Sequence, residues 1–294
     1  MAAKLVLSQL PVPYRWWRRL GVFRHGCLAD DVERRDRWFW THRDIYVRRA
    51  GAPPRTVVEL GPGDSLATAL FASSAGVERI WLLDTGRFAI EDPRHYRAAL
   101  AHIEASGRTP PTVEQPESTE AILAASNGTY LTGGIASFAS IGDSSVDLVL
   151  STAVLEHVRC GEFDRMLHEI FRVLRPGGIS SHRIDLTDHL GGALNSLRIH
   201  PKVWEHRLFA RGGFYTNRLR LSEICRRAAA SGFSVDVPTL DRWPAPPTPR
   251  SAMARPFRCF GEDDLAVAAF TLVLQKPPAA PLPEAHRTGR RNGG

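Results

Sequence analysis

Two acids and two glycines carry the first chemical signal in this chain. Thr56-Val57-Val58-Glu59-Leu60 reads as a buried strand with an acid near its tip, and Gly61-Pro62-Gly63-Asp64-Ser65 follows as a turn that feeds a helix. Glycines there let the backbone bend sharply and approach a ligand closely. Many nucleotide-binding sheets begin this way, so the turn alone selects no ligand. Its loop chemistry is narrower. A pyrophosphate fingerprint requires a third glycine where Leu66 stands, and Asp64 puts a negative charge where an anionic pyrophosphate would sit near a helix N-terminus. An acidic turn suits a ligand with positive charge.

A second acid, Asp84, ends the next apolar run 25 residues after Glu59. The stretch Ser145 to Val158 then brings an apolar strand that runs into Leu155-Glu156-His157-Val158. Beyond it, Ser181-His182-Arg183-Ile184-Asp185-Leu186-Thr187-Asp188-His189 places His182, Asp185, Asp188 and His189 around the end of a further strand, where ligands bind in open α/β sheets. Histidine suits proton transfer near neutral pH. His157 or His182 is the expected base, with Asp185 or Asp188 orienting it. No metal site is expected, although the 182–189 cluster offers ligand-type side chains.

These residues need a scaffold, and the pattern supplies one. Strands are expected near Thr56–Leu60, Arg79–Asp84, Thr129–Thr132, Val146–Ser151, Ile179–Leu186, Phe233–Pro238 and Leu265–Gln275. Helices are expected near Ser65–Ala75, Pro93–Ser106, Glu162–Leu174 and Leu221–Ser231. In Glu162–Leu174, apolar residues recur at Phe163, Met166, Leu167, Ile170, Phe171 and Leu174, a helical period, and Pro176-Gly177-Gly178 is read as its stop. Residues 107–128 read as loop. Alternating strands and helices imply a mostly parallel sheet. The expected fold is α/β: a Rossmann-like, mostly parallel seven-stranded sheet with helices on both faces. Residues 1–50 form an aromatic, arginine-rich helical extension, beginning a helix after Pro13. Residues 51–276 form the main domain, with an aromatic insertion at 189–217 over the open end of the sheet. Residues 277–294 read as a disordered tail.

Composition bounds the function. The net charge of the 294-residue chain is +7, but residues 1–50 contribute +6, residues 277–294 contribute +2, and residues 51–276 carry −1. A nucleic-acid enzyme shows a basic face beside its site, so the near-neutral middle argues against nucleic acid. The basic arm of residues 1–50 is read as an extension packed on the core, with a lid over the ligand, a membrane-surface helix or a docking element as the alternatives. No apolar run approaches the roughly 20 residues that span a bilayer. Met1 to Leu10 lacks the marks of a secretory signal. Cys27, Cys160, Cys225 and Cys259 form no CxxC pair and fit reduced thiols in the cytoplasm.

Taken in order, the Glu59/Gly61/Gly63 turn, Asp84, the Val146–Val158 run and Arg172-Val173-Leu174-Arg175-Pro176-Gly177-Gly178 resemble the class I S-adenosylmethionine (SAM)-dependent methyltransferases, in particular the small-molecule type. The resemblance covers residues 56–186 and extends more loosely to Lys276. It implies SAM as cofactor. The Gly61–Gly63 turn, with Asp64 and Ser65 in its loop, would cradle the methionine half, Glu59 would lie near the ammonium, and Asp84 would accept hydrogen bonds from the ribose hydroxyls. Ile135 and Ala136, within Gly133–Ser137, would sit at the adenine, and Ser151 would line the pocket. The family's third turn glycine is replaced here by Asp64 or Ser65. The implied reaction moves a methyl group to a hydroxyl, or another heteroatom, of a small molecule or glycan. An RNA or protein methyltransferase docking through residues 1–50 is the alternative enzyme, and a SAM-binding protein without catalysis is the alternative outside enzymes.

Overall fold

The computed structural model describes residues 31–116, 118–210 and 213–278. The expected helix after Pro13, Cys27 and nearly all of the 277–294 tail lie outside the described residues.

Seven strands form one sheet: β1 Thr56–Leu60, β2 Arg79–Leu83, β3 Gly128–Leu131, β4 Val146–Thr152, β5 Leu174–Asp185, β6 Ser234–Arg242 and β7 Val267–Gln275, in the order β3-β2-β1-β4-β5-β7-β6. The first five run parallel, and β7 is antiparallel to both β5 and β6. Strands β1, β2 and β4 are apolar along nearly their whole length because a parallel strand is covered on both faces. Successive side chains then sort to opposite sides. Val57, Ile80, Leu148 and Leu150 enter one core with helices α1 (Val32–Ala50), α2 (Ala67–Ser74) and α3 (Pro93–Ala105). Val58, Trp81, Leu83 and Val149 enter the other, against α5 (Phe163–Val173) and α6 (Leu221–Ala230). The expected seven-stranded sheet with helices on both faces is what the chain forms. Among the described residues, no helix is long and apolar enough to cross a membrane.

Two local readings are corrected. A helix, α4 (Thr119–Ala125), lies inside the segment read as loop. Ser118 caps it by accepting the Ala121 N–H, and Ile122 buries against the core. Pro176-Gly177-Gly178 does not stop α5, which already ends at Val173. The segment belongs to β5 as an irregularity: Leu174 pairs with Val146 and Ile179 with Leu148. Gly177 donates to Lys276 O and Lys276 donates back to Gly178 O, so the end of β7 takes up the bulged backbone.

Helix α1 is attached by polar contacts as much as by apolar ones. Its buried side chains are Arg35, Asp36, Phe39, His42, Ile45 and Tyr46. Asp36 accepts two hydrogen bonds from Arg108, at 2.7 and 2.6 Å, and lies 3.0 Å from His102. Tyr46 donates to Asp147, whose other oxygen takes the backbone N–H groups of Arg55 and Thr56. His42 pairs through Nδ1 with Ser181 Oγ at 2.8 Å.

His42 and His182 are both sealed from water, and burial pushes their pKa values down to about 4 and about 3. Both are neutral in the folded state at pH 7. The unfolded chain protonates them near pH 6.5, so it binds more protons than the folded chain below that value. Their contribution is complete above about pH 6.5 and declines as pH falls toward 4. Each should steepen the loss of stability by up to about 1.4 kcal/mol per pH unit in that window. Urea titrations from pH 7 to pH 4 should show a shallower decline for His182→Asn than for wild type. Parallel curves would show that His182 does not stay neutral.

Candidate functional site

The C-terminal ends of β1, β2, β4 and β5 share one edge of the sheet, and the sequence features converge there. Glu59, at the tip of β1, is buried. Its Oε1 accepts from Thr68 at 3.2 Å, while Oε2 has no partner. Burial pushes its pKa up to about 7, with Arg35 and Thr68 opposing and Asp84 adding to the rise. The turn after β1 has Gly61 at φ +64 and Gly63 at φ +67. Gly61 N–H donates to Leu83 O at 2.8 Å, tying the turn to the tip of β2. A Cβ on Gly61 would lie 2.5 Å from Val154 Cγ2. The glycine is therefore required both by its backbone angle and by the closeness of the segment after β4.

Asp84 follows β2 and faces the turn. Its Oδ2 accepts the Gly63 N–H at 3.0 Å and its Oδ1 the Thr85 N–H at 2.7 Å. Burial raises its pKa despite those bonds. Its backbone oxygen takes the Gly134 N–H at 2.8 Å, which starts the 3₁₀ turn Gly134–Ser140 beside it. Ile135 there is half-buried against the core and Ala136 is exposed. The structure thus gathers Glu59, Gly61, Gly63, Asp84, Ile135 and Ala136 on one edge.

Asp64 and Ser65 belong to the same turn but point into the protein. Both are buried. Asp64 lies 3.5 Å from the Arg35 guanidinium, which also donates to Pro62 O at 3.1 Å. Ser65 Oγ pairs with His95 and accepts the Ala67 N–H at 3.1 Å. The charge that the sequence placed toward a ligand is balanced by an arginine of α1. At this edge Glu59 Oε2 is the acid oxygen that keeps no hydrogen-bond partner.

Ser151 and His182 meet, but inside the sheet. Ser151 Oγ lies 2.7 Å from His182 Nδ1, Ser180 occupies Nε2, and both residues are wholly buried. A base must come within hydrogen-bond reach of the acceptor proton, so His182 is a core histidine, and Ser151 supports it.

The β4 tip is different. Ala153 has φ +54, an unfavourable angle for a residue with a side chain. The following turn, Leu155–His157, exposes His157 and buries Glu156. His157 Nδ1 donates to Tyr215 O at 2.8 Å, and its ring stacks on His189 with centroids 5.3 Å apart. Glu156 Oε1 accepts the Asp185 N–H at 3.3 Å, and Oε2 has no partner. Burial pushes the Glu156 pKa up to about 8; Asp185 adds to the rise and Arg183 opposes it. Asp188 is committed to the insertion backbone through the N–H groups of Leu190 and Ser196. Among the described residues, no group of three or more His, Cys, Asp or Glu side chains is arranged to hold a metal ion. Sequence reading chose His157 and passed over its neighbour. The signal was present: Glu156 is a third acid just beyond a parallel strand, as Glu59 and Asp84 are at theirs.

Residues 58–181 match a protein-family model described as a methyltransferase domain. Solved structures of similar fold include the Burkholderia thailandensis 1,6-didemethyltoxoflavin-N1-methyltransferase with bound S-adenosylhomocysteine (14% identity, 91% of this chain and 92% of that one, TM-score 0.46). A SAM-dependent methyltransferase from Mesorhizobium loti is also similar (16% identity, 81% and 97%, TM-score 0.42). So is a chain of the complex between the Haloferax volcanii Trm112 methyltransferase activator and a methyltransferase (17% identity, 86% and 96%, TM-score 0.43). No curated protein matches the chain.

Replacing Gly61 by Ala should force the left-handed backbone and drive a methyl group into Val154. The backbone term alone costs roughly 1–2 kcal/mol. Gly61→Ala should melt several degrees below wild type in a thermal scan. An unchanged Tm would mean that the turn and Val154 separate without cost.

Proposed function

We propose that this chain, whose residues 58–181 match a methyltransferase-domain family model, is a class I SAM-dependent methyltransferase that transfers the SAM methyl group to a hydroxyl, or other heteroatom, of a small molecule or glycan. The observation that carries the reading is the pairing of Gly63 N–H with Asp84 across the tips of two neighbouring parallel strands, beside a buried Glu59 with a free oxygen. Such a glycine turn leaves room for a ligand against the backbone, and a carboxylate with two oxygens suits a ribose diol. The residues present fit the cofactor. Asp84 would hold the ribose, Gly61 and Gly63 would flank the methionine half, Glu59 would answer the ammonium, and Ile135 and Ala136 would border the adenine.

When bound, SAM supplies a methyl group already activated by its sulfonium. The protein's task is then proximity and alignment. A hydroxyl acceptor must also lose a proton at the same edge, and the turn after β4 brings Glu156 and His157 there. Asp185 and the insertion residue His189 flank them. The near-neutral charge of residues 51–276 supports a small acceptor over a nucleic acid.

Calorimetry should detect binding of SAM or S-adenosylhomocysteine and no comparable binding of NAD. Asp84→Ala should weaken that affinity by about tenfold or more, since a hydrogen bond to a charged group is worth roughly 1.5–3 kcal/mol. Equal affinity in the variant would remove Asp84 from the site, and preference for NAD would overturn the cofactor assignment.

A further inference from the structure

Glu59 and Asp64 flank the glycine turn, both are buried, and Arg35 of α1 acts on both. The Arg35 guanidinium lies 3.5 Å from Asp64, and its Nη1 donates to Pro62 O at 3.1 Å and to Ser65 O at 3.5 Å. Its field also reaches Glu59, where it opposes the rise in pKa that burial causes. The other groups acting on Glu59 are Thr68 of α2, which donates to Oε1, and Asp84 beyond β2, whose charge opposes ionisation. Within the sheet Glu59 sits beside Leu82 and Leu150, which carry no charge. His95 and Tyr96 of α3 meet the turn at Ser65 and at the Leu66 N–H.

Helix α1 holds this guanidinium in place from several points along its length. Asp36 takes Arg108, His42 pairs with Ser181 on β5, and Tyr46 donates to Asp147 near the start of β4. These anchors run from one edge of the sheet to the other, so Arg35 is fixed behind the turn. Asp64 alone does not account for its burial. At 3.5 Å the two do not form the close bidentate pair that arginine and carboxylate favour. Among the described residues, Arg35 Nε and Glu59 Oε2 have no hydrogen-bond partner. A buried cation stabilises little unless its charge is needed. Residues 58–181, which match the family model, contain both acids but not this cation.

The charges explain what Arg35 is for. Asp64 and an ionised Glu59 set two negative charges against one guanidinium, and Asp84 adds a third acid nearby. Without Arg35 the burial of these acids would favour a protonated Glu59, and a neutral carboxyl cannot answer a cationic group. With it, one more positive charge brought by a ligand closes the sum. We propose that Arg35 is a positioning residue for the cofactor: it holds the Gly61–Ser65 turn in its binding shape and keeps Glu59 anionic for the cofactor's ammonium group, which makes α1 part of the cofactor site. The inference rests on the SAM reading proposed above. It also sets a pH dependence. The Glu59 pKa of about 7 leaves the carboxyl about half ionised at neutral pH. Affinity for an ammonium group therefore rises as pH rises through about 7 and falls below it, because protonation removes the charge that the ammonium meets.

The test is calorimetric titration of the full chain with S-adenosylhomocysteine from about pH 5.5 to about pH 9. The ligand's own amine titrates alike against every variant, so differences between curves belong to the protein. Wild type should show a step in affinity near pH 7, and Glu59→Gln should lose it. Arg35→Met should bind about tenfold or more weakly at pH 7, since a hydrogen bond to a charged group is lost, and its step should move to higher pH. Arg35→Lys, which keeps the charge, should keep the wild-type step. An arginine that serves only the fold would lower affinity by the same factor at every pH, so an unmoved step in Arg35→Met overturns the proposal. If that variant does not fold, Arg35→Met/Asp64→Asn removes both charges of the pair and should show the same upward move. If neither folds, the remaining curves decide: a flat wild-type curve, a step that survives in Glu59→Gln or a displaced step in Arg35→Lys overturns the proposal. Failure of wild type to bind S-adenosylhomocysteine at any pH would instead remove the cofactor reading on which the proposal stands.

Discussion

Desolvation of charge at the C-terminal edge of the sheet is the constraint on which the rest of this structure depends. Glu59, Asp84 and Glu156 each stand at or just past the end of a parallel strand, and burial raises the pKa of all three. Facing the last of them, burial lowers Arg218 and Arg220. In every case the loss of water outweighs the partners present. A fold seeking only stability would pair these charges or replace them by apolar side chains, because a buried charge stabilises little even when paired. Instead, parallel pairing of β1, β2 and β4 brings the three acids to one edge and leaves Glu59 Oε2 and Glu156 Oε2 without a hydrogen-bond partner.

The surrounding elements absorb the cost. Arg35 of α1 reaches Pro62 O and Asp64, so a helix far away in sequence fixes the shape of the glycine turn. Asp36 on the same helix collects Arg108 and His102 from the α3 side. At the opposite edge of the sheet, Asp147 gathers Tyr46, Arg55, Thr56 and Arg175 around the start of β1. That carboxylate is fully engaged, whereas Glu59 and Glu156 are not. The contrast separates a buried acid whose oxygens are both used by the fold from two that keep an oxygen unused, as the proposed ligand roles of Glu59 and Glu156 would require.

The sheet was legible because buried parallel strands write themselves as short apolar runs. Thr56–Leu60 matches its expected bounds, and Val146–Thr152 extends its own by one residue. Helix α4 was not legible, since prolines and polar residues around it hide a single buried turn that depends on the Ser118 cap. Asp64 was misread for a deeper reason. Its meaning depends on Arg35, 29 residues earlier, and no local pattern encodes that pairing. His182 was misread similarly. Its place in β5 is correct, but which face it takes is set by Ser151 on the adjacent strand and by Ser180. Charge and spacing reveal that a side chain can do chemistry; only packing reveals whether water or a ligand can reach it.

The glycine turn after β1 and the returning segment 216–220 are joined by three consecutive residues. Val154 abuts Gly61 of the turn, Leu155 offers its carbonyl to the Asn217 amide at 2.8 Å, and Glu156 O accepts the Asn217 N–H at 2.7 Å. Asn217 also reaches Val158 O and takes the Leu219 N–H, so one side chain locks the returning segment onto the β4 tip. Ala153 at φ +54 starts this link and Arg218 at φ +62 ends it. Two unfavourable backbone angles thus bracket one short bridge. Backbone strain of this kind clusters where a site is held in a fixed geometry, and the methyl transfer proposed for this chain would need the glycine turn and the β4 tip in such a fixed relation.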